Sequence, residues 1–105
     1  MKIVGVAACT AGIAHTYIAR EKMMKAAESA GHEIHVETQG NIGAENKLTA
    51  EQVKNADIVI IAADIKISGK DRFKGKPTIE VPTDLVVHSS KGLIAKAEEV
   101  FNEKK

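Results

Sequence analysis

Apolar runs of strand length alternate with helical patterns along the whole chain. The first run, residues 2–8, precedes a helix in which small and apolar side chains recur at helical spacing. Residues 33–38 alternate polar with apolar, which favours a strand with one buried face at a sheet edge. Residues 57–63 are continuously apolar after Asp57, which is typical of a central parallel strand. This order predicts a parallel sheet covered by helices on both faces.

Capping residues mark the ends of the first two predicted helices. Gly31 is expected to end the first helix as a C-cap. Thr49 and Gln52 match a Thr-x-x-Gln capping box for the second, with Leu48 and Val53 as its hydrophobic staple. The core-facing side chains of the first helix are expected to be Ala19, Met23, Ala26, Ala27 and Ala30.

The second half of the chain is expected to add an edge strand and a closing helix. Residues 39–47 and 64–76 are interpreted as loops, and the prolines confine residues 77–82 to an edge strand. The last helix is expected to begin at about Ser90. Its inward side chains would be Leu93, Ile94, Ala97, Val100 and Phe101.

These elements predict one α/β domain over residues 1–105. The simplest arrangement is an open four-stranded parallel sheet of order 2-1-3-4, doubly wound and Rossmann-like or flavodoxin-like. In such sheets ligands bind outside the carboxyl ends of the strands, where the winding direction reverses. That point is the end of the first strand, and Cys9, the only cysteine, follows it directly.

Composition excludes several classes of function. The chain has 105 residues, 44% of them hydrophobic and 28% charged, and no apolar run long enough for a membrane span, so no membrane insertion is expected. The net charge of +1 and the three aromatic residues argue against nucleic acid as a partner. The single cysteine and the lack of a signal peptide favour a cytoplasmic location.

The position of Cys9 favours a reactive thiol over a small buried hydrophobe. A thiol just before a helix faces unpaired backbone N–H groups and the positive end of the helix dipole, which both favour the thiolate. The same N–H groups could hold a phosphoryl group, because Gly12 allows the backbone to approach an anion closely. The predicted phosphate-binding loop is Thr10, Ala11, Gly12, Ile13, Ala14, His15 and Thr16.

Individual side chains of this loop have more than one interpretation. Thr10 and Thr16 could donate to a phosphate or cap the helix. His15 could shape the ligand site or simply be solvated. His32, His35 and His88 lack the spacing of metal ligands, so neither a metal nor another cofactor is expected.

Familiar phosphate and redox motifs do not match the loop. A dinucleotide fingerprint needs glycines besides Gly12, and the Gly-Lys pairs continue into Asp71 and Pro77 instead of the Ser or Thr of a P-loop. A thioredoxin-like dithiol would need a second cysteine at position 12. Low-molecular-weight tyrosine phosphatases carry Cys-x5-Arg, whereas this chain has Cys9-x5-His15 and no Asp-Pro pair for a general acid. A phosphoryl carrier fits better, with a phosphatase-like relative as an alternative.

Several stretches resemble the IIB components of fructose-type phosphoenolpyruvate-dependent sugar phosphotransferase systems (PTS). The family loop Cys-Pro-Thr-Gly-Ile-Ala-His-Thr is matched by residues 9–16, with Thr10 and Ala11 in place of proline and threonine. Further stretches that look like the family pattern are residues 36–40, 45–46, 48–51, 56–60, 62–65, 72–73 and 75–76.

The resemblance implies a phosphorelay. A IIA component would pass a phosphoryl group from histidine to Cys9, and Cys9 would pass it to fructose or a related sugar bound in the IIC membrane component. It implies a cytoplasmic domain that reaches the membrane only through IIC. Gln39 and Gly40, at the end of the neighbouring strand, are candidate rim residues. The rival from another class is a regulatory or redox-sensing module in which Cys9 is oxidised.

Overall fold

The computed structural model describes residues 2–8, 13–40, 43–45, 47–67 and 69–103, with side chains left out for residues 13–15, 40, 43–45 and 103. The elements in chain order are β1 (Lys2–Ala8), α1 (Ile13–Ser29), β2 (Glu33–Gly40), β3 (Gly43–Glu45), α2 (Ala50–Asn55), β4 (Ile58–Ala63), a 3-10 turn (Lys70–Phe73), β5 (Thr78–Val81) and α3 (Thr83–Glu103).

The strands form one open sheet of order β3-β2-β1-β4-β5. β1, β2, β4 and β5 are parallel, so the predicted four-stranded parallel sheet of order 2-1-3-4 is confirmed. The short β3 pairs antiparallel with residues 38–40 of β2 and was not expected. The predicted loop over residues 39–47 is therefore wrong in part, and β2 is not the outermost strand.

Apolar side chains fill both faces of the sheet, as predicted. On one face, Ile3 and Ala7 of β1 pack in a cluster with residues of α1 and α3. On the other face, Val4, Val6 and Ala8 of β1 pack in a cluster with residues from α2 and the 3-10 turn. Successive β1 side chains point to opposite faces, so a strand buried on both faces must be apolar throughout.

The predicted helix ends are confirmed. The hydroxyl of Thr49 accepts a hydrogen bond from the Gln52 amide at 3.0 Å, and the Gln52 side chain accepts one from the Thr49 amide at 3.0 Å. Leu48 and Val53 are both buried in the same cluster. Gly31 ends α1 with φ +85°, a left-handed conformation that glycine adopts without strain. Ala30, expected in the core, is exposed after the last turn of the helix.

α3 begins at Thr83, not at about Ser90. The carboxylate of Asp64, just after β4, accepts hydrogen bonds from the backbone N–H and the hydroxyl of the buried Thr83 and so fixes this helix start. Within the helix, Ser89 is non-helical at φ −141° and ψ 45°. The serines therefore mark an interruption within α3 and not its beginning.

The predicted loop over residues 64–76 contains the 3-10 turn, and its Phe73 and the preceding Ile67 are buried. The segment is thus part of the core on the α2 face. Within the part of the chain that the structure describes, no helix combines the length and hydrophobicity needed to span a membrane.

Gly5 allows α1 to pack closely against β1. A Cβ built at this position would lie 3.0 Å from the Met23 sulfur and 3.0 Å from the backbone oxygen of Ile60. The sulfur belongs to a flexible side chain, but the Ile60 oxygen belongs to the central strand β4 and cannot move away without shifting the sheet.

Gly5→Ala is therefore expected to lower the free energy of unfolding by about 1–3 kcal/mol, through overpacking. Gly92→Ala is the matched control, because the nearest atom to an added Cβ there, the Ser89 Cβ, is 3.9 Å away. That variant should be stabilised by up to about 1 kcal/mol, because alanine is the better helix former. Urea unfolding measures both, and equal effects of the two substitutions would contradict the close approach at Gly5.

Candidate functional site

The winding direction of the sheet reverses at β1. From β1 the chain passes through α1 to β2 on one side, and it returns through α2 to β4 on the other side. Ala8, the last residue of β1, pairs with Gln39 of β2 and with Ala63 of β4. Ala8, the residue before Cys9, therefore lies at the edge where ligands bind in open α/β sheets. Cys9 and Thr10 to Gly12 lie outside the described residues, so their predicted roles stay predictions.

The N-terminus of α1 lies at this same carboxyl edge. Its first turn consists of Ile13, Ala14, His15 and Thr16. The turn contains no acidic residue, so no carboxylate there offsets the positive end of the helix dipole. The unpaired N–H groups of such a turn attract anions. Thr16 is 3% exposed, which places its side chain inside the fold.

β2 carries a buried carboxylate, Glu37, three residues before the strand ends at Gly40. Glu37 is 1% exposed and accepts four hydrogen bonds. Two come from the Arg72 guanidinium at 2.9 and 2.8 Å, one from Nε2 of Gln39 at 2.7 Å, and one from the Leu48 amide at 3.0 Å. One carboxylate therefore joins β2 to the connection before α2 and to the 3-10 turn.

Arg72 reaches Glu37 because of two neighbours in its own segment. Its guanidinium carbon lies 4.7 Å from the centroid of the Phe73 ring. Gly69, at φ +75°, leaves room for the side chain, since a Cβ at that position would lie 3.3 Å from Arg72 Nε. The planar guanidinium then meets both carboxylate oxygens at once, which lysine cannot do.

The two rim candidates both lie at the carboxyl edge. Gln39 is half-buried and pairs with Ala8, the residue before Cys9. Gly40 is the last residue of β2 and pairs with Gly43 of β3. The structure thus brings Gln39 and Gly40 to the same edge as the first turn of α1.

The described residues form no metal site at this edge. Among the residues that the structure describes, no group of three or more His, Cys, Asp or Glu side chains is arranged to hold a metal ion.

Comparison with known families gives a match over almost the whole chain. The sequence profile described as "PTS system, Lactose/Cellobiose specific IIB subunit" matches residues 4–102. The chain belongs to the PTS IIB family. The resemblance inferred from the sequence motifs is thereby confirmed.

Individual relatives of this IIB chain carry fructose-type names. "PTS system fructose-like EIIB component 2" of Escherichia coli strain K12 is 46% identical over 97 residues, which are 92% of either chain. "PTS system fructose-specific EIIABC component" of Bacillus subtilis strain 168 is 42% identical over 96 residues, 91% of this chain and 15% of that protein. A solved domain of the fructose-specific IIABC component from Borrelia burgdorferi is 46% identical, with a TM-score of 0.86 over 95% of this chain and 92% of that one.

The ion pair of this IIB chain was not found from the sequence. The alternation of residues 33–38 predicts that Glu37 faces outward with Glu33 and His35. Its partner Arg72 is 35 residues away, in a segment interpreted as a polar loop. The one feature of the sequence that indicated the ion pair was Phe73, because burial of this aromatic residue would bring the adjacent Arg72 toward the core.

The pKa of Glu37 lies below its ordinary value of 4.5. Burial by itself raises the pKa of this carboxyl group, because it disfavours the charged form. Hydrogen bonds from Arg72, Gln39 and the Leu48 amide lower it, as does the positive charge of Arg72, and together they prevail. Glu37 is therefore ionised in the folded chain at neutral pH.

This shift predicts a specific loss of stability in acid. A lowered folded-state pKa adds stability that is complete above the unfolded pKa and is lost as the pH falls through the folded pKa. Glu37→Gln should be less stable than the wild type by roughly 3 kcal/mol at pH 7, since it leaves the Arg72 charge without its partner. Below about pH 4.5 the difference should shrink.

Urea unfolding at pH 7 and at several acidic pH values measures this difference. Glu33→Gln, on the same strand but exposed, is the matched control and should change stability by less than about 0.5 kcal/mol. A gap between wild type and Glu37→Gln that stays constant into acid would contradict the lowered pKa.

Proposed function

We propose that this IIB chain is a phosphoryl carrier of a sugar phosphotransferase system, with Cys9 as the residue that is phosphorylated. The observation that carries the proposal is that Ala8, the residue before Cys9 in the sequence, ends β1 at the reversal point of the sheet, and that α1 begins shortly afterwards at Ile13. Family membership supports the same function.

The proposed chemistry is two successive phosphoryl transfers. In the first, the Cys9 thiolate attacks phosphorus in line, the S–P bond forms, and the N–P bond to the donor histidine breaks, leaving the electron pair on the imidazole nitrogen. In the second, a sugar hydroxyl attacks phosphorus and gives its proton to a base at the sugar site, while the S–P bond breaks and its electron pair restores the thiolate. Backbone N–H groups of residues 10–16 would stabilise the charge on the equatorial oxygens of a loose transition state.

The relatives support the choice of partners and sugar. The Bacillus subtilis relative combines A, B and C components in its name, which supports a IIA donor and a IIC acceptor for this chain. The fructose-like and fructose-specific names of the relatives support fructose or a similar hexose as the final acceptor. A domain that exchanges phosphoryl groups between two proteins would work at the cytoplasmic side of the membrane, bound there only through IIC.

The exposed apolar side chains support a protein-binding surface around Cys9. Four large hydrophobic residues of the described chain are exposed: Tyr17, Ile18, Ile65 and Leu85. The first two lie in the second turn of α1, Ile65 follows β4, and Leu85 lies in the first turn of α3. These segments all begin at the carboxyl edge of the sheet, where both partners must bring their reacting groups.

The test is phosphorylation from purified components. The chain is incubated with phosphoenolpyruvate, the general phosphotransfer proteins and a cognate IIA protein, and its intact mass is measured. A phosphate adduct is expected on the wild type and none on Cys9→Ser, since serine is not ionised at neutral pH and is a far weaker nucleophile.

Two results would contradict the proposal. An adduct that persists in Cys9→Ser would place the phosphoryl group on another residue. No adduct with any of several IIA proteins, together with ready formation of sulfenic acid on Cys9, would favour the redox sensor. Urea unfolding of Cys9→Ser checks that the variant is folded.

A further inference from the structure

A buried ion pair seldom adds stability. Removing two charges from water costs about as much as their attraction returns, and well-packed apolar residues of similar size often serve the fold as well or better. Position 37 offers such packing, because its pairing partner Val6 is fully buried beside Val4 and Ala8. The glutamate there is therefore better explained by the geometry that it imposes on its neighbours.

Glu37 imposes a geometry on Gln39. An ionised carboxylate has acceptor oxygens only, so the side-chain amide of Gln39 must turn its nitrogen, not its oxygen, toward Glu37. The 2.7 Å distance from Gln39 Nε2 to Glu37 Oε2 is a short, charge-assisted hydrogen bond. The Gln39 amide is therefore fixed in both position and orientation.

Arg72 in turn keeps Glu37 in place. Its two N–H groups occupy both carboxylate oxygens, which fixes the plane of the carboxylate as well as its charge. A lysine would keep the charge but supply a single flexible donor. The orientation of Gln39 thus depends on a guanidinium contributed by the 3-10 turn.

Gln39, the residue that Glu37 orients, lies next to the carboxyl end of β1. Gln39 pairs with Ala8, the residue before Cys9, and adjacent strands are about 4.8 Å apart. Glu37 itself lies two residues back along β2, opposite Val6. Gln39 is thus the member of the network whose backbone lies nearest the carboxyl edge, and Glu37 lies behind it.

We propose that Glu37 and Arg72 are positioning residues for phosphoryl transfer, which act through Gln39 on the environment of Cys9. This inference rests on the proposed function. It assigns the rate of transfer, and not the affinity for the phosphoryl donor, to a buried carboxylate and its partly exposed guanidinium partner.

The experiment measures single-turnover transfer from a phosphorylated IIA protein to the full chain, with Arg72→Lys, Gln39→Ala and the double variant. Arg72→Lys should lower the transfer rate about 10-fold to 100-fold, because small misplacements at a transfer site have effects of this size. The donor concentration at half-maximal rate should change by less than about twofold. In the Gln39→Ala background, Arg72→Lys should have no further effect, because the residue through which Arg72 acts is gone.

Lys76→Met is the matched control for stability. Lys76 also holds the segment between β4 and β5 in place, by donating to the backbone oxygens of Lys54 and Ala56 at 3.0 and 2.9 Å. Its loss should destabilise the chain without changing the transfer rate. The inference is wrong if Lys76→Met slows transfer as much as Arg72→Lys does. It is also wrong if Arg72→Lys has no effect, or has the same effect with and without Gln39.

The rate of alkylation of Cys9 by iodoacetamide gives a second measurement that needs no phosphoryl donor. The rate should fall in Gln39→Ala and in Arg72→Lys, and no further in the double variant, because the Gln39 amide is removed in the first and loses its fixed orientation in the second. If this pattern holds while the wild type accepts no phosphoryl group, Arg72 acts on Cys9 through Gln39, but the proposed function and the role in phosphoryl transfer are wrong. If transfer proceeds while neither measurement responds to Arg72→Lys, the function stands and the positioning role is wrong.

Discussion

The carboxylate of Glu37 holds together the segments that surround the carboxyl edge of the sheet. It belongs to β2, and it accepts hydrogen bonds from the connection before α2 and from the 3-10 turn after β4. A buried charge is tolerated only when its partners are all present, because each missing hydrogen bond leaves the cost of desolvation uncompensated. Displacing any one of the three segments would leave this carboxylate without a partner, so the network favours a single geometry of the edge.

Features encoded by neighbouring residues were predictable from the sequence. The capping box of Thr49 and Gln52 and the left-handed Gly31 depend on residues a few positions apart, so their patterns are visible in the chain. The continuous apolar run of β4 identified a central strand, and the alternation of strands with helices gave the parallel order. The same chain order predicted that β1 ends at the reversal point of the sheet.

Features that depend on distant residues were not predictable. The start of α3 is fixed by Asp64, which is 19 residues away from Thr83, so the local signal at the serines was misleading. The ion pair between Glu37 and Arg72 spans 35 residues and converts an apparently outward-facing position into a buried one. β3 consists of Gly43, Ala44 and Glu45, none of which favours a strand by itself. Tertiary contacts overrode local preference in each case.

The two outer strands of the sheet limit how this domain can associate with other chains. β3 is three residues long, and β5 has four residues between Pro77 and Pro82. Proline lacks an N–H group, and edge strands this short offer few consecutive backbone N–H and C=O groups with which another strand could pair. Sheet extension, the usual route to long-lived aggregates, is thereby discouraged. Partners are instead expected to bind this domain mainly through side chains.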